Sequence, residues 1–256
     1  MSLTQTAGGI PVMERRRARP AVKPASAQQR VLVGISLLLA ALLLVIAAKM
    51  LLAGLSSYRV ELALQRWSHN AEAPADSHWQ SVLRSAQRAN DSYPVAKGTY
   101  LDQLGQVHAW HDQALPVGDS TARASRLEAL SALRLAVSAR PTWPDTWVRL
   151  AYSKYTLGEF DNEFAQALEQ ANHWGPHRPD VQFELANIAL RTWPSLTHAQ
   201  RLTAFGSFRR VMDGSNKAAT TLFALAQSRG LETLLCTSTA YGNDRTRTLC
   251  SRGGKR

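Results

Sequence analysis

The chain has 256 residues, 45% of them hydrophobic and 19% charged, and a formal net charge of +11, a length that allows one good-sized core or two small ones. The charge is concentrated: Arg15, Arg16, Arg17, Arg19, Lys23 and Arg30 precede position 31 beside the single acid Glu14, and Arg245, Arg247, Arg252, Lys255 and Arg256 close the sequence with no acid among them. With Lys49 set aside, residues 56–244 are neutral, so the basicity lies in two tails and argues against a DNA- or RNA-binding domain, which carries its charge on a folded face.

Residues 1–30, with Pro11, Pro20 and Pro24 and few hydrophobic side chains, read as a disordered basic leader. From Val31 to Ala48 no residue is charged, and after Lys49 the apolar run resumes through Leu55. A helix over 31–55 is about 38 Å long, enough for a hydrocarbon core of roughly 30 Å, with Lys49 reaching to the interface. The run is too long, and its leader too extended, for a cleaved signal peptide, whose apolar region is about 7–15 residues. The positive-inside rule then sets the orientation. The leader is basic, whereas Arg59 and Arg66 are balanced by Glu61 and Glu72 beyond the span. The expectation is a single-pass protein of a bacterial inner membrane, N-terminus cytoplasmic and the rest periplasmic.

Residues 56–118 read as juxtamembrane and capping helices. The first continues the span to about Ser68. A second opens at Pro74, Asp76 and Ser77 and ends near Asn90, and a third carries Leu101, Leu104, Val107 and Trp110. From Asp119 to Arg140 a helix places Leu127, Leu130, Leu133 and Val137 on one apolar stripe. A repeat follows. Trp147-x-x-Leu150-Ala151 opens one helix, Gly158-Glu159-Phe160 turns into a second that runs to about His173, and Leu185-Ala186 repeats Leu150-Ala151 downstream. This pattern resembles the tetratricopeptide repeat (TPR), two antiparallel helices with small residues at their crossing. Ala151, Tyr155 and Glu163 depart from its preferences. The fold class is therefore all-α: one N-terminal transmembrane helix followed by a TPR-like helical-hairpin domain over 119–230. Residues 231–256 read as a basic C-terminal tail. Its two cysteines, Cys236 and Cys250, have spacing that fits no zinc pattern and are expected to form a structural disulfide.

His108, His111 and Asp112 share one end of a helix and could grip an ion. They lie on the stripe of Leu101 and Leu104, however, and read more simply as half-buried bundle histidines; His173 and His177 read as helix-end residues. No H-E-x-x-H, G-x-S-x-G or phosphate-binding glycine loop is present. No enzyme activity, metal or cofactor is expected. Trp143 and Trp193, each between Thr and Pro, and Trp147, after Thr146, read first as packing at helix entrances. The alternative is an aromatic platform for sugar rings or a partner peptide.

The order of parts is similar to that of a family of bacterial exopolysaccharide-biosynthesis accessory proteins, the VpsP-like family. The similarity rests on the basic leader, the single span and the segments SARPTWPDTWVRLAYSKYTLGEFDNEFAQALEQA and HRPDVQFELANIALRTWP. It implies a membrane-anchored, non-enzymatic scaffold that assists biosynthesis or export of a biofilm-matrix polysaccharide. The implied partners are an envelope polymerase or export proteins, or the polysaccharide itself, and no nucleic acid. A sugar-binding module, or an assembly factor for another envelope complex, are the alternatives.

Overall fold

The structure, a computed structural model, describes residues 26–70, 73–239 and 242–253. The leader up to residue 25, and Lys255 and Arg256, lie outside the described residues. The chain is all-α, with no strand among the described residues. It divides into two units, Met1–Val45 and Ile46–Arg256, and the boundary falls inside the first helix.

That helix, α1 (Ala27–Asn70), is long and apolar enough to cross a membrane. It begins before the apolar run because Ser26 and Gln29 cap it reciprocally. The Gln29 N–H donates to Ser26 Oγ at 3.3 Å and the Ser26 N–H to Gln29 Oε1 at 3.0 Å, so two amide donors that the helix leaves free are satisfied. In the second unit, α1 buries Ala53, Val60, Ala63, Leu64 and Trp67. A buried relay ties it to the third helix, with Ser57 Oγ donating to Gln103 Oε1 at 2.7 Å and Gln103 Nε2 to Glu61 Oε2 at 3.0 Å.

α2 (Asp76–Ser92), α3 (Gly98–His111) and α4 (Arg123–Ala139) follow, then α5 (Pro144–Leu157), α6 (Asn162–Trp174), α7 (Pro179–Thr192) and α8 (His198–Met212). Each packs on its chain neighbour, α5 on α6 and α7 on α8 through short connections and α3 on α4 through the longer segment 112–122. Alternate helices also touch, α3 with α5 and α5 with α7. Small residues permit the close approaches: Ala136, Ala151, Ala167, Ala171 and Ala186 are fully buried. At Gly105 an added Cβ would lie 2.7 Å from Leu133 Cγ, so only glycine lets α3 seat on α4. α5 ends at Gly158, whose φ of 75° is the left-handed cap that glycine adopts without strain.

Three expectations need correction. α4 starts at Arg123, not Asp119, because the Asp119 carboxylate accepts from the Thr121 N–H at 2.8 Å and holds a turn that competes with helix. Leu127 leaves the apolar stripe and is exposed, while Leu130, Leu133 and Val137 are buried. The third concerns the C-terminal region, which is built into the domain instead of forming a tail. After α9 (Asn216–Ser228) come α10 (Glu232–Ser238) and α11 (Asp244–Gly253), packed on α8 and α9. Leu235 is fully buried in the main core, and the Thr246 hydroxyl donates to Met212 O at 3.1 Å.

Cys236 and Cys250 are joined in a disulfide, their Cα atoms 5.6 Å apart, tying α10 to α11. Closing a loop of this size restricts the unfolded chain, worth up to about 3 kcal/mol. Because α10 and α11 also pack on α8 and α9, reduction is expected to cost about 2 kcal/mol. A thermal melt of the full chain with and without reductant, or of Cys250→Ser, checks this. No shift in the midpoint would mean that packing alone holds the segment.

Candidate functional site: a groove across α3, α5 and α7

The inner faces of α3, α5 and α7 carry polar residues at helical spacing: Asp102, Gln106 and Gln113 from the α3 segment, Asp145, Arg149 and Tyr152 from α5, and Asp180 and Glu184 from α7. These positions recur every three to four residues, which sets them on one face of each helix. All of these but Asp102, together with Gly105, Ala109, Trp110 and Val148, line a groove of about 400 Å³. A second lobe of about 450 Å³ shares Gln106, Trp110, Asp145 and Arg149 with the first, and adds Trp143, Arg140, Arg178 and Glu61. Asp102 lines the second lobe, and the shared residues set the two lobes side by side on the second unit.

Ion pairs order its walls. Arg149 Nη1 lies 2.8 Å from Asp102 Oδ2, where Gln106 Nε2 also donates at 3.2 Å. Arg178 grips Asp145 with both terminal nitrogens, at 2.7 and 3.0 Å, a bidentate pair that fixes orientation as well as charge. Its walls desolvate individual carboxyl and phenol groups although its rim is open, with Trp143 44% exposed. Burial raises the Asp102 carboxyl above its ordinary value, against the pull of Arg149 and Arg140. Burial likewise raises Glu184 and the Tyr152 phenol.

Two buried polar atoms of the second lobe's walls lack hydrogen-bond partners: Asp102 Oδ1, an acceptor, and Arg140 Nε, a donor. Buried polar groups are nearly always paired, and an orphan costs about 1–3 kcal/mol. Asp102 itself is only 5% exposed. Both atoms are enclosed by the protein itself, Arg140 Nε against Gly98, so they mark a local cost within the wall and not a contact open to the lobe.

The three tryptophans do not form one platform. Trp143 caps α5 ahead of Pro144, is 44% exposed and lines the second lobe, with the Arg140 and Arg178 guanidinium groups 4.9 and 5.7 Å from its ring centroid. Trp147, on the first turn of α5, packs against the main core and donates Nε1–H to Pro141 O at 2.7 Å, so it staples the helix start. Trp193 sits at a helix exit, not an entrance. It opens a short 3-10 turn (Trp193–Ser195) after α7 and packs on Phe205 and Phe208, with ring centroids 5.5 and 6.1 Å away. Only Trp143 is placed to meet a ligand, because the other two rings are committed to packing.

The histidines belong to an aromatic cluster where α1, α2 and α3 meet. The His111 ring lies 4.1 Å from that of Trp79 and its Nδ1 is 2.8 Å from Asp112 Oδ2, while burial lowers the pKa of His108. Among the described residues no group of three or more His, Cys, Asp or Glu is placed to hold a metal ion. The groove residues Asp102, Arg149, Arg178, Tyr152 and Glu184 were not singled out from the sequence. Their signal was present as polar residues at three- and four-residue steps opposite the apolar stripe of each helix, Asp145-Arg149-Tyr152 on α5 and Asp180-Glu184 on α7. No protein-family model matches the chain and no curated protein is similar to it, so the groove's own geometry carries the functional reading.

Proposed function

We propose that the chain is a membrane-anchored, non-enzymatic scaffold, held by α1 in a bacterial inner membrane with the second unit in the periplasm. Its groove binds a segment of a protein that makes or exports a polysaccharide. The observation that carries the binding role is the groove itself, lined by polar residues of three successive inner helices, walled by ordered ion pairs and bordered by the half-exposed Trp143. An extended polypeptide offers N–H donors and C=O acceptors along its length, and stacked helical hairpins present such inner surfaces to extended segments. Other helices of the unit resemble TPR-like hairpins in order and small-residue crossings, which supports the same reading. The polysaccharide context rests on the resemblance to the VpsP-like family, and the orientation on the distribution of basic residues around the span.

A second reading is supported by Trp143. A half-exposed indole beside a carboxylate oxygen and a guanidinium is an arrangement that takes a sugar ring, stacking below and hydroxyl groups at the rim. A photo-cross-linking residue in place of Tyr152 in the full chain, expressed in its host, separates the two. A discrete protein adduct, absent when the same residue replaces exposed Leu135 on α4, is expected. No adduct at either position, together with retention of the protein on immobilised host polysaccharide, would replace the protein partner by the polymer.

A further inference from the structure

Over residues 53–68, the sides of α1 separate without exception. Written as a heptad with Leu55 and Leu62 at a and Leu51, Tyr58 and Gln65 at d, the residues at b, c and f (Ala53, Ser56, Ser57, Val60, Ala63, Leu64, Trp67) are all buried against the chain's own helices. Every residue at a, d, e and g is exposed. The exposed seam is apolar: Leu51, Leu55, Tyr58 and Leu62 are 64%, 54%, 62% and 42% exposed. Own-chain burial thus occupies the side that a two-stranded coiled coil turns outward and leaves the side that it turns inward exposed. There Glu61 nonetheless bonds its own chain's Gln103 and, with Gln65 and Ser68, borders the second lobe of the groove.

The flanking charges complement each other across such a coil. In a parallel pair, position g faces position e of the next heptad on the other strand. Here g is Glu61 and that e is Arg66, both exposed, and Arg66 makes no ion pair in its own chain among the described residues. Glu61 already accepts from Gln65 and Gln103, and a carboxylate retains lone pairs for a further donor.

Read on the sequence, the same register runs back through the apolar segment. It places Gly34, Ala41 and Ala48 at a and Leu37, Leu44 and Leu51 at d. In lipid there is no hydrophobic drive between helices, and association depends on small residues that let backbones approach. A small residue once per heptad beside a leucine seam supplies that. Outside the lipid, Tyr58 and Leu62 gain from leaving water.

We propose that α1 pairs with α1 of a second copy of this chain as a parallel, in-register coiled coil, with Leu51, Leu55, Tyr58 and Leu62 on the seam and Glu61 paired to Arg66 across it. The parallel sense follows because both copies enter one membrane by the same helix. The inference rests on the anchoring of α1 and on its exposed seam; Glu61, on the flank of that seam, also lines the second lobe of the groove. The pairing gives a two-fold assembly about the membrane normal, with both domains outside the coil.

The test uses the full chain in vesicles of phosphatidylethanolamine and phosphatidylglycerol, with the native disulfide closed. Single cysteines replace Leu55, Leu62 or, as the exposed off-seam control at position c, Met50. Oxidation is expected to give covalent dimer at Leu55→Cys and Leu62→Cys in at least about fivefold excess over Met50→Cys. At low salt, Arg66→Glu added to Leu62→Cys is expected to cut the dimer several-fold, and Glu61→Arg on the same chain to restore it. Equal cross-linking at all three positions, or none at any, would overturn the proposal and leave the face as a lipid contact. Seam cross-linking without charge rescue would overturn the parallel in-register pairing.

Discussion

Replacing Arg126 by methionine is expected to destabilise the second unit by about 3 kcal/mol, with the thermal midpoint falling by roughly 6–12 °C. Arg126 lies on α4, is 5% exposed, and makes no ion pair among the described residues. Its guanidinium serves as a cap for backbone carbonyls instead. Nη1 donates to Pro116 O and Thr156 O, each at 2.8 Å, and Nη2 to Leu115 O at 2.8 Å. Thr156 O is among the last carbonyls of α5, which have no partner in their own helix and carry the negative end of its dipole. Pro116 O and Leu115 O belong to the connection between α3 and α4. One side chain therefore fastens a helix end and a loop at once. Methionine keeps most of the volume but removes a charged donor from all three carbonyls. Thr156 O and Pro116 O keep the Gly118 and Asp119 N–H at 2.9 and 3.2 Å, and Leu115 O is left without a partner among the described residues. Arg126→Lys keeps the charge, but its single ammonium lacks the planar fork, and it should recover less than half of the loss. Equilibrium denaturation of the three proteins measures this. A loss below about 1 kcal/mol for the methionine variant would show that the carbonyls find other donors.

Lys154→Met should cost about 3 kcal/mol, through charge and not through packing. The Lys154 side chain is 2% exposed, and its Nζ lies 2.6 Å from both Glu159 and Asp161 and 3.4 Å from Glu163. All three acids sit in the turn from α5 to α6 or on the first turn of α6, so the ammonium pins the hairpin shut from below. Arg134 adds a second cation on Glu163, with two contacts at 2.7 and 2.6 Å. Removing the lysine leaves three carboxylates crowded together, each still partly solvated, which keeps the loss below that of a fully buried pair. The pH dependence has a definite sign. Arg134 above all, with Lys154, holds Glu163 below its ordinary 4.5; at Asp161 burial pushes upward, but the Lys154 bond and the Phe164 N–H outweigh it, leaving that group lowered as well. A carboxylate with a lowered folded pKa stabilises the protein above its unfolded value, and that contribution is lost as the pH falls through the folded one. The gap between wild type and Lys154→Met is therefore expected to be full at pH 7 and to close below about pH 4. Melts at both pH values check it; a gap that persists in acid would point to packing.

Much of the architecture was legible because it depends on local periodicity. The apolar run of α1, the Pro-initiated α5 and the Gly158 cap follow from hydrophobicity, a missing N–H and a left-handed φ, each a property of one residue type. The misreadings share a different origin. Asp119 was assigned to a helix that its own side chain prevents. Residues 231–256 read as a tail because Gly, Thr and Arg dominate there. Among the described residues, buried Leu235, the Thr246 hydroxyl on Met212 O, and Asn243 and Arg245 on Asp213 and Gly214 nonetheless dock the segment once the rest of the domain exists. Trp193 was placed at a helix entrance by the Trp-Pro pair it shares with Trp143; the three-dimensional difference is that Phe208, on α8, is there to receive it. The groove was hidden for the same reason. Asp102 and Arg149 are 47 positions apart, and nothing in either local pattern announces that they meet.

The central claim is that the groove across α3, α5 and α7 holds a component of a polysaccharide pathway. The most direct measurement is extracellular polysaccharide from host cells whose only copy of the protein is Ala109→Trp, which fills the groove floor with an indole. Ser131→Trp, on the exposed face of α4, is the control, and both proteins are first shown to reach wild-type levels in the membrane. The account predicts that Ala109→Trp cells lose most of their polymer, by about tenfold, while Ser131→Trp cells match wild type. Equal polymer in all three strains would contradict it.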